Sequence, residues 1–193
     1  MGFLDKLFKK SVQTTERETP SVPQQHSCKT EEELLELYGG IALEKQLDFG
    51  GLIGENNWNV NMQTGTLSFG DALTFPIQVL GTFSHSSETW LWSWANEKAG
   101  LSEHLMHEAL KLKKYGEENG IDLLRNSTFD FSGHQLHMIG IIASEMSNAD
   151  AYYIADYGAG AMVVTLTDDR IKIARNNSTQ RVMTIFSTVN FSV

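Results

Sequence analysis

Cysteine and proline are scarce in this sequence of 193 residues, which has one cysteine, Cys28, and three prolines. One cysteine excludes an intrachain disulfide and a cysteine-based zinc site, as is typical of a protein from a reducing compartment. No apolar run reaches about 18 residues, the length that a membrane-spanning helix needs. The first residues also lack the long apolar stretch and small-residue cleavage site of a signal peptide. We therefore expect a cytoplasmic protein with no transmembrane segment.

Basic residues are outnumbered. The chain has 15 lysines and arginines against 24 acids, so its formal net charge is −9. Binding to a nucleic-acid backbone needs a basic surface, and we therefore expect no nucleic-acid partner. An acidic protein is better suited to a basic protein partner.

Signatures of catalysis are also absent. The sequence has no Gly-x-Ser-x-Gly elbow, and Cys28 lies in a polar stretch where no base is held beside it. The run Gly158-Ala159-Gly160 predicts a hairpin, because no helix start follows it. We expect no catalytic residue and no cofactor, and the sequence favours a non-enzymatic protein.

Two histidine pairs at i,i+3 spacing are the residues that come closest to a metal site. Imidazole and carboxylate ligands suit zinc or iron, and Glu108 and Glu145 lie near the pairs in the sequence. Helical geometry, however, places both pairs on the solvent side of their helices, away from the apolar stripes. We therefore expect no metal to be bound by these pairs, which are His104 with His107 and His134 with His137.

The composition divides the chain into three parts. Residues 1–10 place apolar residues on one helical face and Asp5, Lys6, Lys9 and Lys10 on the rest. This pattern is typical of a weak membrane contact or a partner contact, with packing on its own domain as the alternative. The apolar residues are Phe3, Leu4, Leu7 and Phe8. Residues 11–29 are polar and predict a flexible linker. A single domain should then span residues 30–193.

Hydrophobic periodicity in this domain predicts an α+β fold, in which an antiparallel sheet is covered by about three helices. Capping boxes at Thr30 and Ser132 open two of the helices. The predicted helices are 30–48, 102–115 and 132–146. The predicted strands are 58–62, 66–69, 75–83, 89–96, 129–131, 152–157, 161–167, 171–174 and 182–189. This order suggests two similar halves, each a helix followed by a meander of strands.

The first predicted helix has two sides of different composition. One side is a stripe in which Leu34, Tyr38, Ile41 and Lys45 repeat at helical spacing and which Leu35 and Ala42 widen. Residues 30–48 also contain six acids and one lysine, which predicts a solvated face rather than a binding surface.

The most informative segment is Thr89–Asn96, in which three tryptophans occupy alternate positions. On a strand they would share one face. One interpretation is a hydrophobic core, because one face of the sheet must be covered. The other is a ligand pocket beside the strand, formed by Trp90, Trp92, Trp94, Asn96 and His85.

The Trp-x-Trp-x-Trp-Ala-Asn run resembles an uncharacterised bacterial domain family, a domain of unknown function. Three further stretches contribute to the resemblance, which covers about residues 34–166: Gly81-Thr82-Phe83-Ser84, Tyr115–Ile121 and Tyr152-Tyr153. It implies a bacterial cytosolic α+β domain. It implies no activity, because no catalytic residues are assigned to the family.

Three hypotheses of function remain at this point. The first is a non-enzymatic protein-binding module, for example an immunity-type protein that blocks a basic toxin. The second is a small-molecule-binding protein or hydrolase with its pocket beside the tryptophan strand. The third is peripheral membrane attachment through residues 1–10, which would be weak because stable anchoring usually takes two signals.

Overall fold

The computed structural model describes residues 28–175, except for the side chain of His134. Within this range seven strands form one antiparallel sheet packed with helices, which confirms the predicted α+β class. The α-helices that lie wholly within this range are α1 (Glu31–Ile53), α2 (His107–Asn119), α3 (Asp122–Arg125) and α4 (Leu136–Met146). The strands are β1 (Trp58–Asn61), β2 (Thr66–Phe69), β3 (Leu73–Ser84), β4 (Thr89–Trp92), β5 (Thr128–Asp130), β6 (Ala151–Asp156) and β7 (Gly160–Leu166).

Two predicted elements lie outside the described residues: the amphipathic segment 1–10 and the strand 182–189. So does most of the predicted linker, although Cys28, which the sequence assigns to it, is described and is buried. No helix among the described residues is long and apolar enough to cross a membrane.

Helix α1 begins where the sequence predicts and ends later. The Thr30 hydroxyl accepts a hydrogen bond from the Glu33 N–H at 3.2 Å, as in a capping box. The predicted end at Asp48 is wrong, because Phe49 continues the buried side of the helix. Gly54 follows the last residue with a φ of 57°, a conformation that favours glycine and ends the helix.

Strand β3 organises the sheet because it pairs with three others. Its residues 73–76 pair with β2 and its residues 81–84 with β4, while β7 pairs along residues 77–84. The register shifts between Val79 and Gly81, where the sequence also loses its alternation. A Cβ atom at Gly81 would lie 2.5 Å from both the Leu91 carbonyl oxygen and the Trp90 ring, so only glycine fits there.

The core divides into two clusters, and α1 contributes to both. The first cluster joins β3, β4 and β7 to α2, α3 and α4, and it includes Leu34 of α1. The second cluster contains Phe49 of α1, whose ring contacts Phe69 and Phe75 edge-on at centroid distances of 5.8 and 6.0 Å. Leu34 in the first cluster and Phe49 in the second therefore hold the two ends of α1 to the domain.

Polar contacts fix the middle of α1. The Lys45 ammonium lies 2.8 Å from the Glu145 carboxylate of α4 and donates to the Ala149 carbonyl oxygen at 3.0 Å. The Gln46 side chain donates to the Tyr152 carbonyl oxygen at 3.0 Å and accepts from the Tyr152 N–H at 3.1 Å. These bonds determine which side of α1 faces inward and which faces solvent.

The predicted strand 171–174 is wrong, because residues 169–175 are helical. Asp168 explains the difference. Its carboxylate accepts from the Arg170 N–H at 2.9 Å, and its carbonyl oxygen accepts from the Ile171 N–H at 3.1 Å, as expected of a residue that starts a helix. Within the described chain, two strands and a helix therefore follow α4, where the suggested repeat would have placed about four strands.

Candidate functional site

The tryptophan segment is a strand only up to Trp92. Residues Ser93–Ala95 form a 3₁₀ turn, so the prediction that three indoles share one strand face holds for Trp90 and Trp92 and is wrong for Trp94. The Trp90 and Trp92 rings are perpendicular at a centroid distance of 5.4 Å, and both have an exposed fraction of 0%. This burial supports the core interpretation, because neither ring lines a pocket open to solvent.

The third indole is less enclosed. Trp94 is half-buried, and the Lys113 ammonium lies 4.5 Å from its ring centroid in a cation–π contact. Asn96 is also half-buried. A ligand contact at these two residues stays a prediction.

Three buried polar atoms of this segment have no hydrogen-bond partner within the described part of the chain. They are Trp90 Nε1, Ser93 Oγ and Trp94 Nε1. In contrast, Trp92 Nε1 donates to the Leu123 carbonyl oxygen at 3.0 Å. A bound water would satisfy such atoms wherever there is room for one.

His85 lies in the exposed turn between β3 and β4 rather than in the tryptophan core. The Nε2 atom of its ring is 3.1 Å from an Asp156 carboxylate oxygen, and its main-chain N–H donates to the Ala159 carbonyl oxygen at 3.2 Å. The pKa of Asp156 is lowered, mainly by a hydrogen bond from the Gly158 N–H and less by His85. His85 therefore joins two neighbouring turns of the sheet.

Helix α1 carries four of the six large hydrophobic side chains that are exposed among the described residues. Four large side chains point away from the domain: Leu37, Ile41, Leu43 and Leu47, which are 52, 54, 61 and 70% exposed. They form two i,i+4 pairs on a stretch of helix about 15 Å long, and the mean directions of the pairs differ by about 120° around the helix axis. Gly40 lies between the pairs, and a Cβ atom there would have no heavy atom within 4 Å. We call these four residues and Gly40 the α1 face.

The charges around the α1 face are all negative. Glu36 and Glu44 are exposed and Asp48 is half-buried. The one lysine of α1, Lys45, points inward to Glu145 and leaves only acids on the solvent side. The α1 face therefore combines apolar side chains with a negative potential.

A second concave site lies between α2, β3 and β7. It is a groove of about 330 Å³, and its lining includes the polar residues Gln78, His104, His107, Glu108, Lys111 and Thr165. We call it the Glu108 groove. The half-buried Glu108 carboxylate accepts a hydrogen bond from the Thr165 hydroxyl, and Glu108 N–H donates to the Gln78 side chain at 3.4 Å. Burial raises the pKa of Glu108, and the hydrogen bond from Thr165 opposes this shift.

The predicted histidine pairs are exposed as far as the structure describes them. His104 and His107 both line the Glu108 groove, and His137 Nδ1 lies 3.0 Å from the Tyr152 hydroxyl. Burial raises the pKa of Tyr152 to about 12, so this hydroxyl stays protonated at neutral pH. No three His, Cys, Asp or Glu residues among those described form a metal-binding group.

These features define the class of the protein: a small α+β domain with an antiparallel sheet, an indole-containing core and one helix with an apolar outer face. The chain belongs to a family of unknown function (DUF6882), which matches residues 32–169. This match confirms the resemblance to an uncharacterised domain family. No curated protein and no solved structure matches the chain.

Proposed function

We propose that this protein is a non-enzymatic protein-binding module whose binding surface is the α1 face. The observation that carries the proposal is the exposure of Leu37, Ile41, Leu43 and Leu47, each more than half exposed on one helix. Single exposed apolar residues are normal on a protein surface, but two exposed apolar pairs on one helix favour an interaction site. The inner side of α1 is held by the core and by Lys45, whereas more than half of each of these four residues is exposed to solvent.

The charges indicate the chemistry of the partner. An amphipathic helix with a leucine-rich stripe and flanking lysine or arginine would match both the apolar side chains and the acids of the α1 face. An immunity-type protein that neutralises a basic toxin is one form of this function, supported by the net charge of −9. A cytoplasmic location, supported by the single cysteine, is part of the same proposal.

A peptide titration tests the binding chemistry. A fluorescent helical peptide of leucine and lysine is titrated with the full chain and followed by anisotropy. We expect Leu43→Gln/Leu47→Gln to weaken binding at least tenfold, because the change removes the apolar contacts of the peptide and adds no charge. The matched control is Ile173→Gln, which changes another exposed apolar residue, 57% exposed, outside α1. Equal affinity of all three proteins would contradict the proposal.

The same three proteins then serve as baits in a lysate of the source organism. A partner retained by the wild type and by Ile173→Gln, but lost by the Leu43→Gln/Leu47→Gln variant, would identify the cellular ligand of the α1 face. A partner retained equally by all three would place binding elsewhere.

A second candidate function is small-molecule binding in the Glu108 groove. The observation in its favour is a half-buried carboxylate with a raised pKa in a groove, which is typical of functional sites. Glu108 would accept a hydrogen bond from a ligand amine or hydroxyl, and Lys111 would attract a ligand carboxylate. Amino acids and hydroxy acids have both groups.

Thermal shift measurements with a panel of amino acids and hydroxy acids test this candidate. We expect a rise in melting temperature that is lost in Glu108→Gln, which removes the charge and keeps the shape. Glu103→Gln is the matched control, because Glu103 is an exposed acid in the turn just before α2. No response of the wild type to any compound, or an equal response of Glu108→Gln, would contradict the assignment.

A further inference from the structure

We infer that residues 1–10 of this same chain bind the α1 face in cis and compete there with the partner. The inference shares its surface with the proposed function and rests on it for the competition alone. The contact between the segment and α1 is tested without any partner.

The chemistry of the segment complements the α1 face. Its four apolar residues, Phe3, Leu4, Leu7 and Phe8, fall on one side at helical spacing. Three lysines, Lys6, Lys9 and Lys10, and one acid, Asp5, make up its polar side, so the charge of its side chains is positive overall. The surroundings of the α1 face have the opposite charge, because its apolar side chains lie among the acids Glu36, Glu44 and Asp48. A segment of ten residues forms a marginal helix by itself, so a receiving surface would supply the stabilisation that it lacks.

The connecting chain is long enough for this contact. Residues 11–27 join the segment to Cys28, three residues before α1 begins. A polar chain of that length has a root-mean-square span of about 23 Å, and the centre of the α1 face is about 16 Å along the helix from its first residue. A tether of this kind gives an effective concentration of about millimolar, so even weak intrinsic affinity fills the surface for much of the time.

Other occupants fit the α1 face less well. A second copy of the chain would bring one acidic α1 face against another in a symmetric dimer, and like charges would repel. Residues 176–193 contain a single basic residue, Arg181, and alternate with the period of a strand rather than a helix. Residues 1–10 have both the positive charge and the helical spacing.

Hydroxyl-radical footprinting of the full chain without a partner tests the contact. The wild type is compared with Phe3→Asp/Leu7→Asp, which removes the apolar side of the segment, and with Val22→Asp, a matched apolar-to-acid change in the linker. A segment whose affinity matches the effective concentration covers the α1 face half of the time. We therefore expect Leu37, Leu43 and Leu47 to be oxidised about twofold faster in the double variant than in the wild type. Val22→Asp should behave as wild type, and Ile173 serves as an internal reference in all three proteins.

Equal oxidation of α1 in the wild type and in Phe3→Asp/Leu7→Asp overturns the inference. So does protection that depends on protein concentration together with a doubled mass in light scattering, which would assign the surface to a second copy. Protection that is lost in Phe186→Asp but kept in Phe3→Asp/Leu7→Asp would assign it to residues 176–193. Protection that appears only with phosphatidylglycerol vesicles would assign it to a membrane.

The peptide titration separates this inference from the proposed function. We expect the leucine–lysine peptide to bind Phe3→Asp/Leu7→Asp about twofold more tightly than the wild type, because the competitor is removed. If the peptide fails to bind while the footprint changes as expected, the cis contact stands and the proposed function fails. If the peptide binds while the footprint does not change, the proposed function stands and the cis contact fails.

Discussion

Removing the charge of Lys45 should destabilise the domain strongly. The Lys45 and Glu145 side chains are only 11 and 8% exposed, and their charged atoms are 2.8 Å apart. In Lys45→Met the apolar stem is nearly retained, but the Glu145 carboxylate loses its counter-charge while it stays buried. The change therefore isolates the cost of an unpaired buried charge.

The size of the effect follows from the surroundings of the two groups. Breaking a buried ion pair from one side costs about 3–5 kcal/mol, because the remaining charge is desolvated without compensation. The hydrogen bond from Lys45 to the Ala149 carbonyl oxygen, 3.0 Å long, is lost as well and contributes about 1 kcal/mol of this total. A domain has about 5–15 kcal/mol of stability, so Lys45→Met should remove a large fraction of it.

Urea unfolding of a double-mutant cycle measures the effect. The double variant Lys45→Met/Glu145→Met removes both charges. Its free energy of unfolding should lie within about 1–2 kcal/mol of that of the wild type and should be well above that of Lys45→Met alone. The control is Lys114→Met, which breaks an i,i+4 pair with Glu118 that is 3.8 Å long, with side chains 76 and 60% exposed. Such surface pairs contribute less than about 0.5 kcal/mol. The reasoning is refuted if Lys45→Met and Lys114→Met lower the free energy of unfolding equally.

Three further predictions concern Gly140, Gly40 and Glu108. A Cβ atom at Gly140 would lie 2.3 Å from the buried Tyr152 ring, so Gly140→Ala should lower the free energy of unfolding by about 1–3 kcal/mol, measured by urea unfolding. The Cβ atom of Gly40→Ala meets open space on α1, so this variant should raise the free energy of unfolding by up to about 1 kcal/mol in the same assay. Equal changes in the free energy of unfolding of the two variants would contradict both predictions. Because burial raises the pKa of Glu108, its ionisation destabilises the folded state at pH values above that pKa. Glu108→Gln should therefore be more stable than the wild type at pH 7, with a difference that disappears below about pH 4; a difference that grows as the pH falls would contradict this.

Local patterns in the sequence predict most of the sheet and the start of α1. The predicted second helix, 102–115, is displaced, because Glu103–Met106 form a 3₁₀ turn and α2 spans His107–Asn119. Strand β2 has the predicted bounds, and the capping box at Ser132 forms with Gln135 as expected. These elements depend on neighbouring residues alone, since alternation and capping act over two to four positions. The prediction of a strand at residues 171–174 is wrong because a short alternating run does not by itself distinguish a strand from a helix. The helix becomes recognisable only when the capping residue Asp168 is considered.

Contacts between distant residues could not be predicted in this way. In the Glu108 groove, Gln78 and Thr165 contact Glu108 across sequence separations of 30 and 57 residues, and no local spacing indicates such contacts. Glu108 was noticed only as a neighbour of two histidines. The end of β4 at Trp92 likewise depends on the 3₁₀ turn that follows it, where the tryptophan spacing alone favours a longer strand.

The α1 face was missed because apolar residues surround this helix. Ile41 lies on the predicted apolar stripe, yet it is 54% exposed, and the apolar residues of α1 point in too many directions for hydrophobicity to fix the orientation of the helix. The buried polar side chains make the choice instead. Lys45 and Gln46 find partners on Glu145, Ala149 and the Tyr152 main chain only if the α1 face points outward.

This division of roles links the stability of α1 to its binding function. Burial of Leu34 and Phe49 contributes the larger part of the packing energy, but a rotation of the helix would bury other apolar residues in their place. Such a rotation would leave Lys45 and Gln46 without partners, and that cost favours one orientation. We therefore expect α1 to take more than one orientation in Lys45→Met/Glu145→Met. In hydroxyl-radical footprinting, the rate of oxidation of the exposed Ile41 should then exceed the rates of the buried Ala42 and Leu34 by a smaller factor than in the wild type. Unchanged selectivity would show that packing alone orients the α1 face.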